Sequence, residues 1–528
     1  MKKLSTIIFI AGISLSASAQ IVYKDVAPIF FNRCTSCHHA GGHPPEHYTS
    51  YSETVPWVSL IKSDLNIGKM PPWSPDTTYS RFLHERLITA AEKTTIINWI
   101  NAGYPAGDTT LAPPAPVYNS NYQLYGVPSL VLQIPTFTSN ATTTDAYNCF
   151  ALPSGLTQDR ILRAYEIIPG NVAIVHHVIV NVDTTGTVAS DLSGACFNAP
   201  GNFGIGGYAP GAPPTVFPGV APLKIGMRIK AGSKFILQIH YPAGTGGQQD
   251  STKIRIYFYP VNETGVRPIY TTVPLQNWSL AIPANTVQTF TAKYPSSGGL
   301  ATALSIFASF PHSHKVCTSI VNYADSNGTS TIPLIRINKW DFNWQGYYTF
   351  RNLVKIPKGY TIHSSHVYDN TTNNPNNPFS PPQLVTAGTS TTNEMLFDAF
   401  QWMYYLPGDD TINIGNLLVK DSLLNPTTTS VIELPLSKIS TYIFPNPFND
   451  KVRISYELVY PAEVSISLYN LVGTKIKTLS NQQLNAGEYA NDWDGRNEAG
   501  EKVSAGIYFY TIRAGKSESS GKIVLMPK

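Results

Sequence analysis

Between residues 120 and 432 the chain never keeps one pattern for long. Short apolar or alternating runs, "SLVLQI", "VAIVHHVIVNV", "KFILQIHY", "KIRIYFY" and "TALSIFASF", are separated by segments rich in Gly, Pro and Asn. Runs of this length between turn residues form strands, and many short strands with no helix between them stack as antiparallel sheets. About 310 residues are too many for one sandwich, so two are expected, 119–285 and 286–432. The fold class is therefore mainly β.

The flanks differ. "MKKLSTIIFIAGISLSASAQ" has Lys2 and Lys3, an apolar stretch from Ile7 to Leu15, and Ala17-Ser18-Ala19 before Gln20. That is the form of a signal peptide, 1–19. No other run approaches the length of a membrane span. Residues 20–108 carry helical spacing in "FLHERLITAAEKTTIINWINAGYPAGD", through Leu87, Ala91, Ile96, Ile97 and Ile100, with Gly103 as a stop. "TTLAPPAPVY" at 109–118 reads as a semi-rigid linker. A strand-rich module, expected as an immunoglobulin-like β-sandwich, closes the chain at 437–528. The net charge is +4 with 13% charged residues and no basic stripe, which argues against a nucleic-acid partner.

Cys34-Thr35-Ser36-Cys37-His38 has the C-x-x-C-H form of covalent haem attachment, two thiols for the vinyl groups and a histidine for the iron. With 5 Cys and 12 His in 528 residues, chance would produce it in about one such chain in a thousand. The alternative is a CxxC disulfide or zinc pair. Met70 in "GKMPPW" is the candidate distal ligand, and a thioether there favours electron transfer. His39, His43, His47 and His84 are the other candidates for that position. The motif, the "MPPW" loop and the final helix resemble a c-type cytochrome domain of about 90 residues, which implies one haem c.

"HSH" at 312–314 lies at the end of an apolar run. On a strand, residues two apart share a face, so His312 and His314 can reach one metal. Alone the pattern is weak, since about 0.3 occurrences are expected by chance. The same region also holds His176 and His177 in "AIVHHVIV", His240 in "ILQIHYPAG", and Glu394-Met395 in "TSTTNEMLFDAF". Adjacent histidines on a regular strand point apart, so His176 and His177 can share a metal only at a bend or a strand end.

The order HH, H, HxH, EM resembles the copper type II, ascorbate-dependent monooxygenases, which include the peptidylglycine and dopamine hydroxylating enzymes. "YNCFALP", "QIHY", "FNWQ" and "GTSTTNEM" extend the likeness over about 125–408. The resemblance implies two jelly-roll-like sandwiches with one copper each. His176, His177 and His240 would hold the electron-transferring ion. His312, His314 and Met395 would hold the ion that meets O2, with Met403 the other available thioether. It also implies a reductant, ascorbate or a redox protein. The peptidylglycine enzymes hold their substrate with an Arg, an Asn and a Tyr where this chain has Phe310, Phe397 and Ala399, which implies a less polar substrate. Cys149 and Cys196 are candidates to pair, leaving Cys317 over. His366 reads as structural.

"PNPF", "LYNLVGTKI", "GIYFYTI" and "GKIVLMPK" in the last module resemble the C-terminal sorting domain of type IX secretion substrates. That implies export by the type IX machinery of a Bacteroidetes-type bacterium. Two functions follow as expectations. One is an exported copper monooxygenase fed by its own haem domain. The other is a copper and haem electron-transfer or copper-binding surface protein that does not hydroxylate. A structural adhesin fits the ligand set least.

Overall fold

A computed structural model describes residues 20–42, 44–118, 123–193, 202–326, 328, 330–425, 441–458, 462–484, 487–514 and 517–527. The expected leader, His43 and Cys196 lie outside the described residues. The chain forms two compact units, Met1–Asn425 and Pro426–Lys528.

The first unit opens with a helical module. Helices Tyr23–Arg33, Val58–Ile67 and Ala90–Asn101 meet through Val26, Phe30, Ile61, Leu65, Ile96 and Trp99. Fully burying such side chains is worth about 1.5–3 kcal/mol each. The last helix is shorter than its spacing predicts. Thr89 caps it by accepting from the Glu92 N–H, and Glu92 answers with its side chain on the Thr89 N–H, so the helix starts at Ala90. Leu87 is therefore outside it. Just upstream, Phe82 bridges to Phe350 and the Leu83 N–H donates to the Thr349 carbonyl, both in the second sandwich. Gly103, at φ 84°, follows the helix end as expected.

The first sandwich pairs a sheet ordered Leu130–Gln133, Lys253–Phe258, Arg160–Ile168, Leu223–Ile229 with one ordered Ala146–Pro153, Lys234–Tyr241, His177–Asp183, Asn202–Tyr208. Leu162 and Ile254 from one sheet share a core with Val180 and Leu237 from the other. In the second sandwich, the order Tyr270–Asn277, Leu396–Tyr404, Leu304–His312, Tyr348–Ile356 is set against Val287–Tyr294, Thr361–Asp369, Cys317–Asp325, Thr331–Ile337. Strand Tyr270–Asn277 already belongs to this second sandwich. The change of sandwich thus falls just before residue 270, earlier than the expected 285–286. The apolar run across 269–285 hides the switch, because both sandwiches demand the same alternation. The core does not stop at that change: Phe307, Leu353 and Met403 of the second sandwich join the core of the first.

The second unit packs strands Thr441–Phe444, Val452–Leu458 and Gly487–Trp493 and strands Lys475–Leu484, Ala462–Asn470, Gly506–Ala514 and Ser517–Leu525 around Ile454, Ile466, Trp493 and Ile512. Among the described residues, no helix is long and apolar enough to cross a membrane.

Candidate metal and haem sites

His240 lies directly opposite His177 in the antiparallel ladder of Lys234–Tyr241 and His177–Asp183, so both rings leave the same face. His176 sits one residue before that strand begins, with its N–H on the His240 carbonyl at 3.0 Å. The strand end turns its ring toward the other two, which is what a shared metal requires of neighbouring histidines. The three Nδ1 atoms converge, with separations of 3.2, 3.2 and 3.3 Å. The centre of such a triangle is about 1.9 Å from each corner, close to a metal–imidazole bond of about 2.0 Å. Three imidazole nitrogens held this close cannot all be satisfied by one another's protons, so the donor set fits a cation. Tyr147 stacks on His240 at 4.5 Å and 3°. The His240 Nε2 is 3.1 Å from the Asp145 carboxylate but off the line a hydrogen bond needs. Burial lowers the pKa of both His177 and His240, which keeps them in the neutral form that binds metal.

The second group straddles a strand end. His312 closes strand Leu304–His312, and His314 lies just beyond it. The rings are nonetheless neighbours, 5.2 Å apart at 88°. His312 uses Nδ1 on the Gln345 side-chain oxygen at 2.5 Å, and His314 uses Nδ1 on the Asn393 carbonyl at 3.1 Å. Each Nε2 is thereby left for a ligand role. Burial first, then His314, pulls His312 down to about 3; burial first, then Lys315, pulls His314 down to about 4. Ser313, between them, donates to the Met395 carbonyl at 2.6 Å, and Tyr368 donates to the same oxygen at 2.8 Å. The Met395 main chain is thus tied to the side chain of Ser313, which lies between the two histidines. Met403, the other thioether weighed, is buried in the core.

Two acids that sequence reasoning left without a role hold this group in place. Glu394, fully buried, accepts from the N–H groups of His314 (2.8 Å), Val316 (2.7 Å), Cys317 (3.3 Å) and Met395 (3.1 Å), and from the Ser313 hydroxyl (3.0 Å). Asp398 accepts from Asn322, Ser364 and His366 beneath the His312 N–H. Burial alone would raise Asp398; His366 and its other donors outweigh that and lower it. His366 is fully buried in this pair and has a structural part, as expected. Phe310 lies parallel to both His312 and Tyr347, and Phe397 meets His312 edge-on. Ala399 is buried below the surface.

Charge links the two groups: after burial and its neighbouring histidines, His177 is depressed by His312, and Lys315 acts on both His314 and His240. Tyr347 reaches across to Gly204, where a Cβ would lie 2.7 Å from its hydroxyl, and Gln401 donates to the Ile205 carbonyl at 3.1 Å.

In the helical module, Cys34 caps helix Tyr23–Arg33, and both Cys34 and Cys37 are free thiols. Burial pushes Cys34 up to about 12. His38 places Nδ1 2.9 Å from the Glu46 carbonyl and stacks on Tyr48, leaving Nε2 for an axial bond. Met70 follows Gly68, which ends helix Val58–Ile67, and is half-buried on the loop. His39 is engaged elsewhere, on the Thr35 carbonyl and against Tyr118. Tyr118, the last residue of the expected linker, also bonds to Thr35, so the linker folds back on the motif. Cys149 is disulfide-bonded; Cys196 lies outside the described residues. Cys317 is a free, buried thiol.

Comparison with known families places two matches on this chain. Residues 268–417 match the copper type II ascorbate-dependent monooxygenase, C-terminal domain. Residues 442–526 match the secretion system C-terminal sorting domain. The chain therefore carries a domain of copper type II monooxygenase kind and a secretion sorting domain at its C-terminal end, which marks it for export to a secreted or surface-attached location. No curated protein matches. Among solved structures, PorZ of the Porphyromonas gingivalis type IX secretion system shares 20% identity over 16% of this chain and 11% of its own, with a TM-score of 0.13. Latent dimeric PorU from the same organism shares 11% over 73% and 34%, with a TM-score of 0.15. A domain of the Porphyromonas gingivalis outer membrane lipoprotein Omp28 shares 9% over 19% and 98%, at 0.14. Scores this low carry no argument.

Proposed function

We propose that this protein is a two-copper monooxygenase that hydroxylates a C–H bond of a rather apolar small molecule with O2, taking electrons from its own haem module, from ascorbate or from both. The convergence of the His176, His177 and His240 Nδ1 atoms carries the reading, because it supports a metal site in the first sandwich beside the copper-type domain matched at 268–417. His176, His177 and His240 would hold one copper, and His312, His314 and Met395 the other. Cys34 and Cys37 would bind haem covalently, and His38 and Met70 would hold its iron. Bound copper supplies one-electron chemistry and O2 activation, and two sites supply the two electrons that hydroxylation consumes.

The chain's own residues do the rest. Gln345 and Asn393 fix the His312 and His314 rings so that Nε2 faces outward. Ser313 and Glu394 hold Met395 beside them. Phe310 and Phe397 line the approach to His312 and would exclude water from an apolar substrate. The Met395 thioether, with His312 and His314, would hold the ion, and a soft donor would favour its reduced form.

Metal and haem analysis of the mature protein tests this first. Two coppers, one haem and O2-dependent product from an apolar substrate panel are expected. One haem and no copper after loading would leave only an electron-transfer protein. That second reading draws on Phe310, Phe397 and Ala399 replacing polar substrate-holding groups.

A further inference from the structure

The C-x-x-C-H motif does not stand free of the first sandwich. The Cys37 Sγ is 3.7 Å from the Pro210 carbonyl oxygen. A Cβ on Gly211 would fall 2.0 Å from that sulfur, so only glycine permits the approach. A cleft at this junction is lined by Cys37, His39 and Gly42 on one side and by Tyr165, Tyr208 and Gly211 on the other. Pro210 and Gly211 form a turn that continues directly from strand Asn202–Tyr208. That strand pairs with the one carrying His177, and Tyr208 lies opposite Val178, the residue after His177. A second glycine marks this contact: a Cβ on Gly207 would lie 2.4 Å from the Val178 carbonyl oxygen. The run Gly207-Tyr208-Ala209-Pro210-Gly211 thus has glycine wherever another group presses close. Two residues of extended chain and one inter-strand spacing separate Pro210 from Val178, about 12 Å in all.

Resting on the copper and haem reading above, we propose that residues 207–211 are the intramolecular electron bridge from the haem module to the trihistidine copper site. One electron leaves ferrous haem, which becomes ferric, and enters cupric ion on His176, His177 and His240, which becomes cuprous; no atom or proton is transferred. An external one-electron donor, ascorbate or a redox protein, then restores the haem. Electron tunnelling falls steeply with distance, and a fixed contact at Cys37 removes the need for a diffusing carrier on this step. The module's other attachment, Asp76 on Arg336 and Asn338 together with Phe82 on Phe350, lies on the second sandwich and holds the module in place.

The test uses the full mature chain. Oxidised, copper-loaded protein is mixed anaerobically with less than one equivalent of a fast reductant, and haem absorbance and the Cu(II) EPR signal are followed. Haem should reoxidise as Cu(II) is lost, with a rate independent of protein concentration and no reoxidation in copper-free protein. Gly211→Ala should slow that phase at least tenfold at unchanged covalent haem content, and Gly207→Ala is the second variant should haem attachment fail in the first. A rate proportional to protein concentration, or variants as fast as wild type, would overturn the bridge. If copper loads, and ascorbate alone drives hydroxylation while haem stays reduced, the enzyme reading stands and only the bridge falls. If no copper binds at the three histidines, the enzyme reading falls with it.

Discussion

Glu394→Gln probes the pin behind the second site. Its Oε1 receives the N–H groups of Val316 and Cys317, and its Oε2 those of His314 and Met395 plus the Ser313 hydroxyl. Glutamine has the same shape but one oxygen becomes an amide NH2. Whichever way the amide turns, at least two donors then face a donor. A buried donor left unmade costs about 1–3 kcal/mol, and the longer Cys317 bond sits at the low end, so the change should cost about 3 kcal/mol. For the whole of the first compact unit, about 400 residues, that is a fall of about 3–4 °C in melting temperature. Burial raises the Glu394 pKa while the surrounding donors pull it back, and the substitution separates the two. If the carboxyl were neutral in the fold, glutamine would mimic it and the melt would hardly move. Differential scanning calorimetry of the full chain, with copper counted by mass spectrometry, reads both consequences. The expected outcome is the lower melt with loss of one of two coppers. A melt within about 1 °C of wild type at full copper content would refute the charged-pin argument.

Met395→Ala should leave the trihistidine copper bound and weaken the other, reducing copper per chain from two toward one at low free copper. His38→Ala should abolish the ferrous low-spin haem spectrum while the copper content stays unchanged. Asp76 is held below the usual carboxylate range, first by Thr78 and then by Arg336 and Asn338. Because its folded pKa is depressed, its stabilising contribution is complete above its unfolded value of about 3.9 and fades as pH falls through the folded one. Limited proteolysis should therefore cut the loop around Asp76 faster below about pH 4, and Asp76→Asn should already be cut faster at pH 7.

The candidate ligands were legible because each is a rare residue in a patterned run. His240 and His312 announce themselves in strands where a polar side chain is costly, His314 follows at the strand end, and C-x-x-C-H is improbable by chance. Their supports were not. Glu394 adjoins a proposed ligand, yet its five partners come from 313–317 and 395, and no local pattern encodes a pairing across 80 residues. Asp398 is likewise defined by Asn322, Ser364 and His366, each on another strand. Leu87 kept helical spacing but lost the helix because Thr89 and Glu92 form a start signal three residues apart, and because Phe82 and Leu83 found partners in the second sandwich. The sandwich boundary was invisible for a related reason: strand alternation reports a buried face and says nothing about whose core it enters.

The two histidine groups grip from opposite ends of the ring. In the first, all three rings turn Nδ1, the nitrogen nearer the main chain, toward one point. In the second, Gln345 and Asn393 occupy Nδ1, and the far nitrogen projects. On the copper reading proposed above, an ion held on short arms close to two paired strands would change charge with little shift of its ligands, whereas one held at arm's length would stand clear of the backbone. In the second group that difference is set by Gln345 and Asn393, whose oxygens claim the near nitrogen of each ring.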